Sequence, residues 1–200
     1  MANIQLKDKT SCLVLCEGVD AKYFLIWLLD YYKNNGKPEF EQIQVEDFGG
    51  ITQLSDAIGV WKNISGLIRG ALQKASLPVP NHAWTIKTDG DFKVSYILFP
   101  GIKDDGGNYT SGTLEDLCLQ ALDDAQKDEK LKAVDDFIAS CGNKFALKFP
   151  RMHKTRLHEY LVMHDKFVDS KIGEATKAGA FDFSNPIILG IVKIFSDLLK

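Results

Sequence analysis

Glu17 stands between an apolar run, Cys12–Cys16, and Gly18, with Asp20 three residues on. A carboxylate at the carboxyl end of a buried strand points into the crevice where an α/β sheet binds phosphates and divalent cations. Glu17 and Asp20 are therefore candidate ligands for Mg2+ or Mn2+. The same placement suits carboxylates that cap the next helix and oppose its dipole. Glu115 offers a third hard oxygen ligand in Gly112-Thr113-Leu114-Glu115-Asp116-Leu117, where Thr113 and Asp116 also make a variant capping box that needs no function at all. The cations gather elsewhere. Lys144, Lys148, Arg151, His153, Lys154, Arg156 and His158 fall within residues 144–158 of an otherwise acidic chain. Such a run is either a solvated helix face or a surface on which Lys148, Arg151 and Lys154 dock the phosphates of DNA or RNA. In the second case Lys154 is the cation placed to steady charge developing on a phosphodiester.

Other motifs carry less. Asp89-Gly90-Asp91 spells the acid pair of many Mg2+ sites, but it sits where a hairpin turn is expected and is read as turn chemistry. His82, His153, His158 and His164 lack the spacing of a helical zinc pair, and His158 and His164 are expected at the surface. Cys12, Cys16, Cys118 and Cys141 have no C-x-x-C spacing and read as reduced, buried thiols of a cytoplasmic protein. The chain contains no G-x-S-x-G, no phosphate-loop lysine motif and no G-x-G-x-x-G, so hydrolase-elbow, nucleotide-triphosphatase and dinucleotide readings lack their usual support.

The elements that must position these residues follow from periodicity. Cys12–Cys16 is a continuous apolar strand, and Phe24, Leu25, Leu28, Leu29 and Tyr32 recur at helical spacing over residues 20–34. A second strand is expected over 42–48, then a helical stretch opened by Gly49-Gly50 and passing through Leu54, Ile58 and Trp61. This β-α-β-α order predicts an α/β fold with an open, mostly parallel sheet flanked by helices. The alternation breaks after Ser65-Gly66, because the helical run 67–75 follows with no strand between. Strands over 83–87 and 93–99 are expected to form a hairpin, followed by a loop over 101–112. Helices are then expected over 113–122, 127–141, 151–163 and 186–199. The organisation predicted is one domain, with residues 1–122 as α/β core and 123–200 as a helical subdomain.

Composition sets bounds on function. Of 200 residues, 45% are hydrophobic and 26% charged, which describes an ordinary globular chain rather than a disordered one. A net charge of −3 argues against coating nucleic acid by bulk electrostatics, so any such contact must be local. The longest apolar runs are too short for a membrane span, and no export signal is expected.

Several stretches together resemble an uncharacterised prokaryotic domain family related to the Toprim fold. They are Leu13-Val14-Leu15-Cys16-Glu17-Gly18-Val19-Asp20, Phe48-Gly49-Gly50-Ile51, Leu77-Pro78-Val79-Pro80, Phe99-Pro100, the segment Gly112-Thr113-Leu114-Glu115-Asp116-Leu117-Cys118, Lys154-Thr155-Arg156-Leu157-His158-Glu159-Tyr160-Leu161 and Gly179-Ala180-Phe181-Asp182-Phe183. Toprim proteins include topoisomerase and primase catalytic domains and nucleases of the overcoming-lysogenization-defect type. The resemblance implies Mg2+ or Mn2+ held by a glutamate matching Glu17, with Glu115 as the later glutamate and Lys154 as the lysine. It thus implies a metal-dependent nuclease or phosphodiester-cleaving enzyme, or a non-catalytic module that keeps the crevice to bind nucleic acid or a partner protein. A phosphate-ester or nucleotide-binding enzyme unrelated to nucleic acid is a third reading. Two departures bear on activity. Ala21 stands where such nucleases carry an acid, with Asp20 beside it, and no strand bearing a D-x-D follows Gly66. Loss of that pair leaves a two-metal site incomplete.

Overall fold

A computed structural model describes residues 6–47, 64–103 and 109–200. The chain divides into two compact units, Met1–Leu98 with Ile188–Lys200, and Phe99–Ile187. The expected change of character near residue 122 thus falls inside the second unit, because the helix before it packs on helices that follow.

The first unit is built on β1 (Cys12–Cys16), α1 (Val19–Asn34), a 3-10 turn (Pro38–Gln42) and β2 (Ile43–Asp47). β1 and β2 pair in parallel, Cys12 opposite Ile43 and Cys16 opposite Asp47. The chain crosses over through α1, whose Phe24, Leu25, Leu28 and Leu29 are buried as their helical spacing predicts. α2 (Ile64–Lys74) runs as one helix through Ser65-Gly66-Leu67, so no strand intervenes where the Toprim resemblance calls for its acid pair. The expected stretch through Leu54, Ile58 and Trp61 lies outside the described residues.

β3 (Lys87–Asp89) and β4 (Phe92–Val94) form an antiparallel hairpin with Asp89 opposite Phe92. Its two-residue loop is Gly90-Asp91, with a positive φ of 55° at Gly90, so glycine fills the first loop position as in a type II′ turn. Asp89 is therefore a strand residue rather than a turn residue. α7 (Pro186–Leu198) returns to this unit, where its Phe195 meets Phe40 edge-on at 6.4 Å and its Ser196 accepts a hydrogen bond from Lys37. Trp84 donates its indole N–H to the Leu98 carbonyl, and its ring lies against Gly190, where an added Cβ would approach within 3.3 Å.

The second unit opens with β5 (Pro100–Lys103) and β6 (Tyr109–Ser111), an antiparallel pair within the stretch expected to be loop. The Asp, Gly and Asn of residues 104–108 hid it, since strands of four and three residues are too short to show alternation beside such turn-forming sequence. Five helices end the chain: α3 (Leu114–Gln120), α4 (Lys127–Phe145), α5 (Met152–Val162), the short α6 (Ile172–Lys177) and α7. α5 packs on both α3 and α4, burying Leu117, Cys118, Val134, Ile138, Leu157 and Leu161. The chain is thus α/β with a small parallel sheet. Among the described residues, parallel pairing is confined to β1 and β2, and the other two ladders are antiparallel. The expected mostly parallel sheet is corrected on that point, because the break in β-α alternation after Gly66 removes the crossover a third parallel strand needs.

The aromatic-Asp-Phe ending of the chain has a structural explanation. Phe181 bridges Leu122, and the Asp182 N–H donates to the Ala121 carbonyl at 2.6 Å, which ties the segment to the end of α3. Gly179 supplies the positive φ of 83° that ends α6, and Asp182 accepts from both the backbone and the hydroxyl of Ser184 ahead of Pro186.

Candidate functional site

Glu17 leaves β1 where the sequence places it, and Gly18 turns the chain at a φ of +88° that a side chain would resist. The N–H of Gly18 is taken by Asp47 of β2 at 2.8 Å, so a strand-end aspartate receives the backbone at the mouth of α1. Asp20 lies in the first turn of α1, where its charge opposes the helix dipole. Beside them Lys22 reaches Glu46 at 2.7 Å, and Gln44 donates to the same carboxylate at 2.9 Å. These two donors hold the Glu46 carboxyl below the ordinary range. Burial first, then the carboxylates of Asp47 and Glu46, push the Cys16 thiol up to about 11. The carboxyl ends of β1 and β2 therefore form an acidic patch. Asp47 and Glu46 were readable as acids at the end of the expected second strand, although periodicity alone assigned them no role.

In the second unit the structure brings two of the predicted residues together. Glu115, in the first turn of α3, meets Lys154 of α5 at 2.7 Å, its side chain 8% exposed against 43% for the lysine. Burial works against the carboxylate, but the Lys154 ammonium and the backbone N–H of Glu115 outweigh it and hold the carboxyl below its usual value. The capping box beside it forms as read: Asp116 accepts from the Thr113 N–H at 2.8 Å and from its hydroxyl at 3.0 Å. Glu115 follows the antiparallel β5–β6 pair rather than a strand of the parallel sheet.

A second cluster in this unit has no spacing signal in the sequence. Asp124, 14% exposed, accepts from the Tyr160 hydroxyl at 2.6 Å, from Lys130 at 2.7 Å and from the Gln126 N–H at 2.8 Å. Lys130 first, then Tyr160 and the backbone, hold its carboxyl far below the carboxylate range. Burial, then the bond to Asp124, raises the Tyr160 hydroxyl well above its ordinary value, so it stays a donor. His164 corrects the expectation of a surface histidine. Its ring centre lies 5.0 Å from that of Tyr160, tilted by 42°, and its enclosed Nε2 lies 3.3 Å from Asp124 without hydrogen-bond alignment. The reason is local: residues 164–167 turn back on α5, with the Phe167 N–H donating to the His164 carbonyl.

Of the predicted phosphate-docking residues, Lys148 and Arg151 are exposed and make no ion pair among the described residues, whereas Lys154 is committed to Glu115. Arg156 is likewise spent, in a two-pronged contact with Asp135 at 2.7 and 2.9 Å. Cys16 and Cys118 are buried free thiols; Cys12 and Cys141 are only half-buried, which corrects the expectation of four buried cysteines, because Cys12 opens β1 and Cys141 lies between the exposed Phe137 and Phe145 of α4. No group of three or more His, Cys, Asp or Glu residues among the described residues is placed to hold a metal ion. Glu17 and Asp20 belong to the first unit and Glu115 to the second, with one Glu115 oxygen already taken by Lys154. No described helix is long and apolar enough to cross a membrane. The chain matches no family model, and neither a curated protein nor a solved structure matches it.

Proposed function

We propose that this chain is a Toprim-like, non-catalytic module that binds nucleic acid through the corner between α4 and α5. The observation that carries the reading is the way charge is divided along residues 144–158. Lys154 and Arg156 are neutralised inside the second unit, while Lys144, Lys148 and Arg151 remain exposed without an acidic partner among the described residues. Cations left unpaired next to neutralised ones make a local positive patch on a chain of net charge −3. With no group reading base edges, binding is sequence-independent and salt-sensitive. Three phosphate contacts predict a log–log salt slope of about −2 to −3. Lys148→Ala with Arg151→Ala should flatten it by one or two units and leave folding intact. A slope unchanged in the double variant, measured by filter binding across salt, removes the reading.

A second reading, metal-assisted phosphodiester chemistry, is favoured by the meeting of Glu115 with Lys154, the glutamate and lysine that the resemblance assigns to one site. Within the first unit, Glu17 and Asp20 by themselves would offer Mg2+ or Mn2+ two carboxylates, with water filling most of the shell, so binding is weak. Calorimetric titration of the wild type should show heat that Glu17→Ala abolishes. Identical heats would mean that these acids serve the helix start alone.

A further inference from the structure

α4 carries Phe137, Cys141 and Phe145 four residues apart, neighbours along its surface. Val134 and Ile138 are buried, yet Phe137 is 57% and Phe145 59% exposed, and Leu147 just beyond the helix is 51% exposed. Apolar surface left in water along one line marks a contact face rather than scatter. The two rings stand about 12 Å apart along the axis, from eight residues at the helical rise.

The end of this line is shaped and charged. Ala146 closes α4 in the left-handed region at a φ of 52°, which alanine adopts only where its surroundings impose it. The chain then folds back over Gly142, where an added Cβ would lie 3.6 Å from the Leu147 carbonyl and 3.8 Å from the Phe149 ring. Lys148 lies within this fold-back, between Leu147 and Phe149. The Lys144 ammonium sits 5.3 Å from the centre of the Phe145 ring, so cation and aromatic face share one patch.

Charge selects a polyanionic occupant, and exposed ring faces select one with flat apolar surfaces to offer. Duplex hides its base faces in the stack, whereas a single strand presents them. We propose that this corner binds single-stranded nucleic acid, with bases stacked on Phe137 and Phe145 and phosphates on Lys144, Lys148 and Arg151. The inference rests on the nucleic-acid reading above and deepens it.

The test is fluorescence anisotropy on the full chain at low salt, with labelled oligo-dT, oligo-U and a duplex of equal length. Single strands should bind about tenfold more tightly than duplex, and Phe137→Ala and Phe145→Ala should each weaken them about tenfold. Phe145→Leu should lose nearly as much and Phe145→Trp little, since the ring face rather than apolar area is recognised. Both rings are exposed, so these variants keep the circular dichroism of the wild type. If the phenylalanine variants bind as the wild type does while Lys148→Ala with Arg151→Ala does not, stacking is refuted and the nucleic-acid reading survives. Equal affinity for duplex, or an equal loss toward heparin, which has no bases, likewise refutes stacking. Absence of binding to all three probes overturns both readings and leaves the face to an acidic protein partner.

Discussion

Lys154→Ala is expected to lower unfolding free energy by about 2 kcal/mol, because it strands a carboxylate that is nearly enclosed. Removing one partner of a fully buried pair costs more, but Lys154 is 43% exposed and water screens part of the attraction. Adding Glu115→Gln should recover about half of the loss, since the orphaned charge is then gone. The pH dependence has a definite sign. The Glu115 carboxyl is held below its ordinary value, so the pair stabilises the fold above the unfolded carboxylate range. That contribution disappears as pH falls through the depressed folded value. Urea unfolding of the wild type and Lys154→Ala should therefore differ at pH 7 and converge in acid. A constant gap down to acid pH would assign the effect to lost packing of the lysine stem. By contrast, Lys148→Ala with Arg151→Ala should leave stability unchanged, which separates the structural cation from the surface ones.

Asp124→Ala should be comparably damaging, costing about 2 kcal/mol through the loss of charge-assisted bonds to Tyr160, Lys130 and the Gln126 backbone. Tyr160 is 2% exposed, so its hydroxyl is left with no ready access to water. Asp124→Asn keeps an acceptor and should cost less. Because the Asp124 carboxyl is held far below the ordinary range, it stabilises the fold above the unfolded aspartate range, and this is lost only in strong acid. Wild-type stability should accordingly decline below about pH 4, and Asp124→Asn should decline less steeply over the same range. Parallel acid-unfolding curves for the two proteins would show that the cluster is not charge-linked.

The sequence was most legible where one physical signal acted alone. Leu13-Val14-Leu15 marks β1 as a strand, but not as one buried on both faces, since Leu13 is 40% and Leu15 48% exposed; the α1 spacing survives because its stripe is wide and uninterrupted. The Thr113–Asp116 box was equally plain, since a cap is a contact between residues three apart. The β5–β6 pair was not, because strands of four and three residues are too short to show alternation beside the Asp, Gly and Asn of residues 104–108, which read as loop. α6 was missed for a related reason: it has six residues and starts at Lys171, a poor N-cap, with the Glu174 carboxylate reaching back to its N–H. Glu115 and Lys154 were identifiable as candidates one at a time, yet their ion pair depends on α3 packing against α5. Asp124 and Tyr160 lie 36 residues apart with no periodic relation, so no pattern along the chain could join them.

The first unit is assembled from two stretches of chain separated by the whole of the second, and this bears on the order in which the protein folds. The contact between Phe40 and Phe195 closes a loop that contains every residue of Phe99–Ile187. Closing so long a flexible loop carries an entropy cost, which falls when the intervening chain has already condensed. The continuous unit can form from contacts near in sequence, whereas the split one must wait for α7 to be synthesised and brought back. Until that helix arrives, Phe40 lacks the ring of Phe195 that it meets in the folded unit, and the nascent first unit is a part of the chain in need of protection from aggregation.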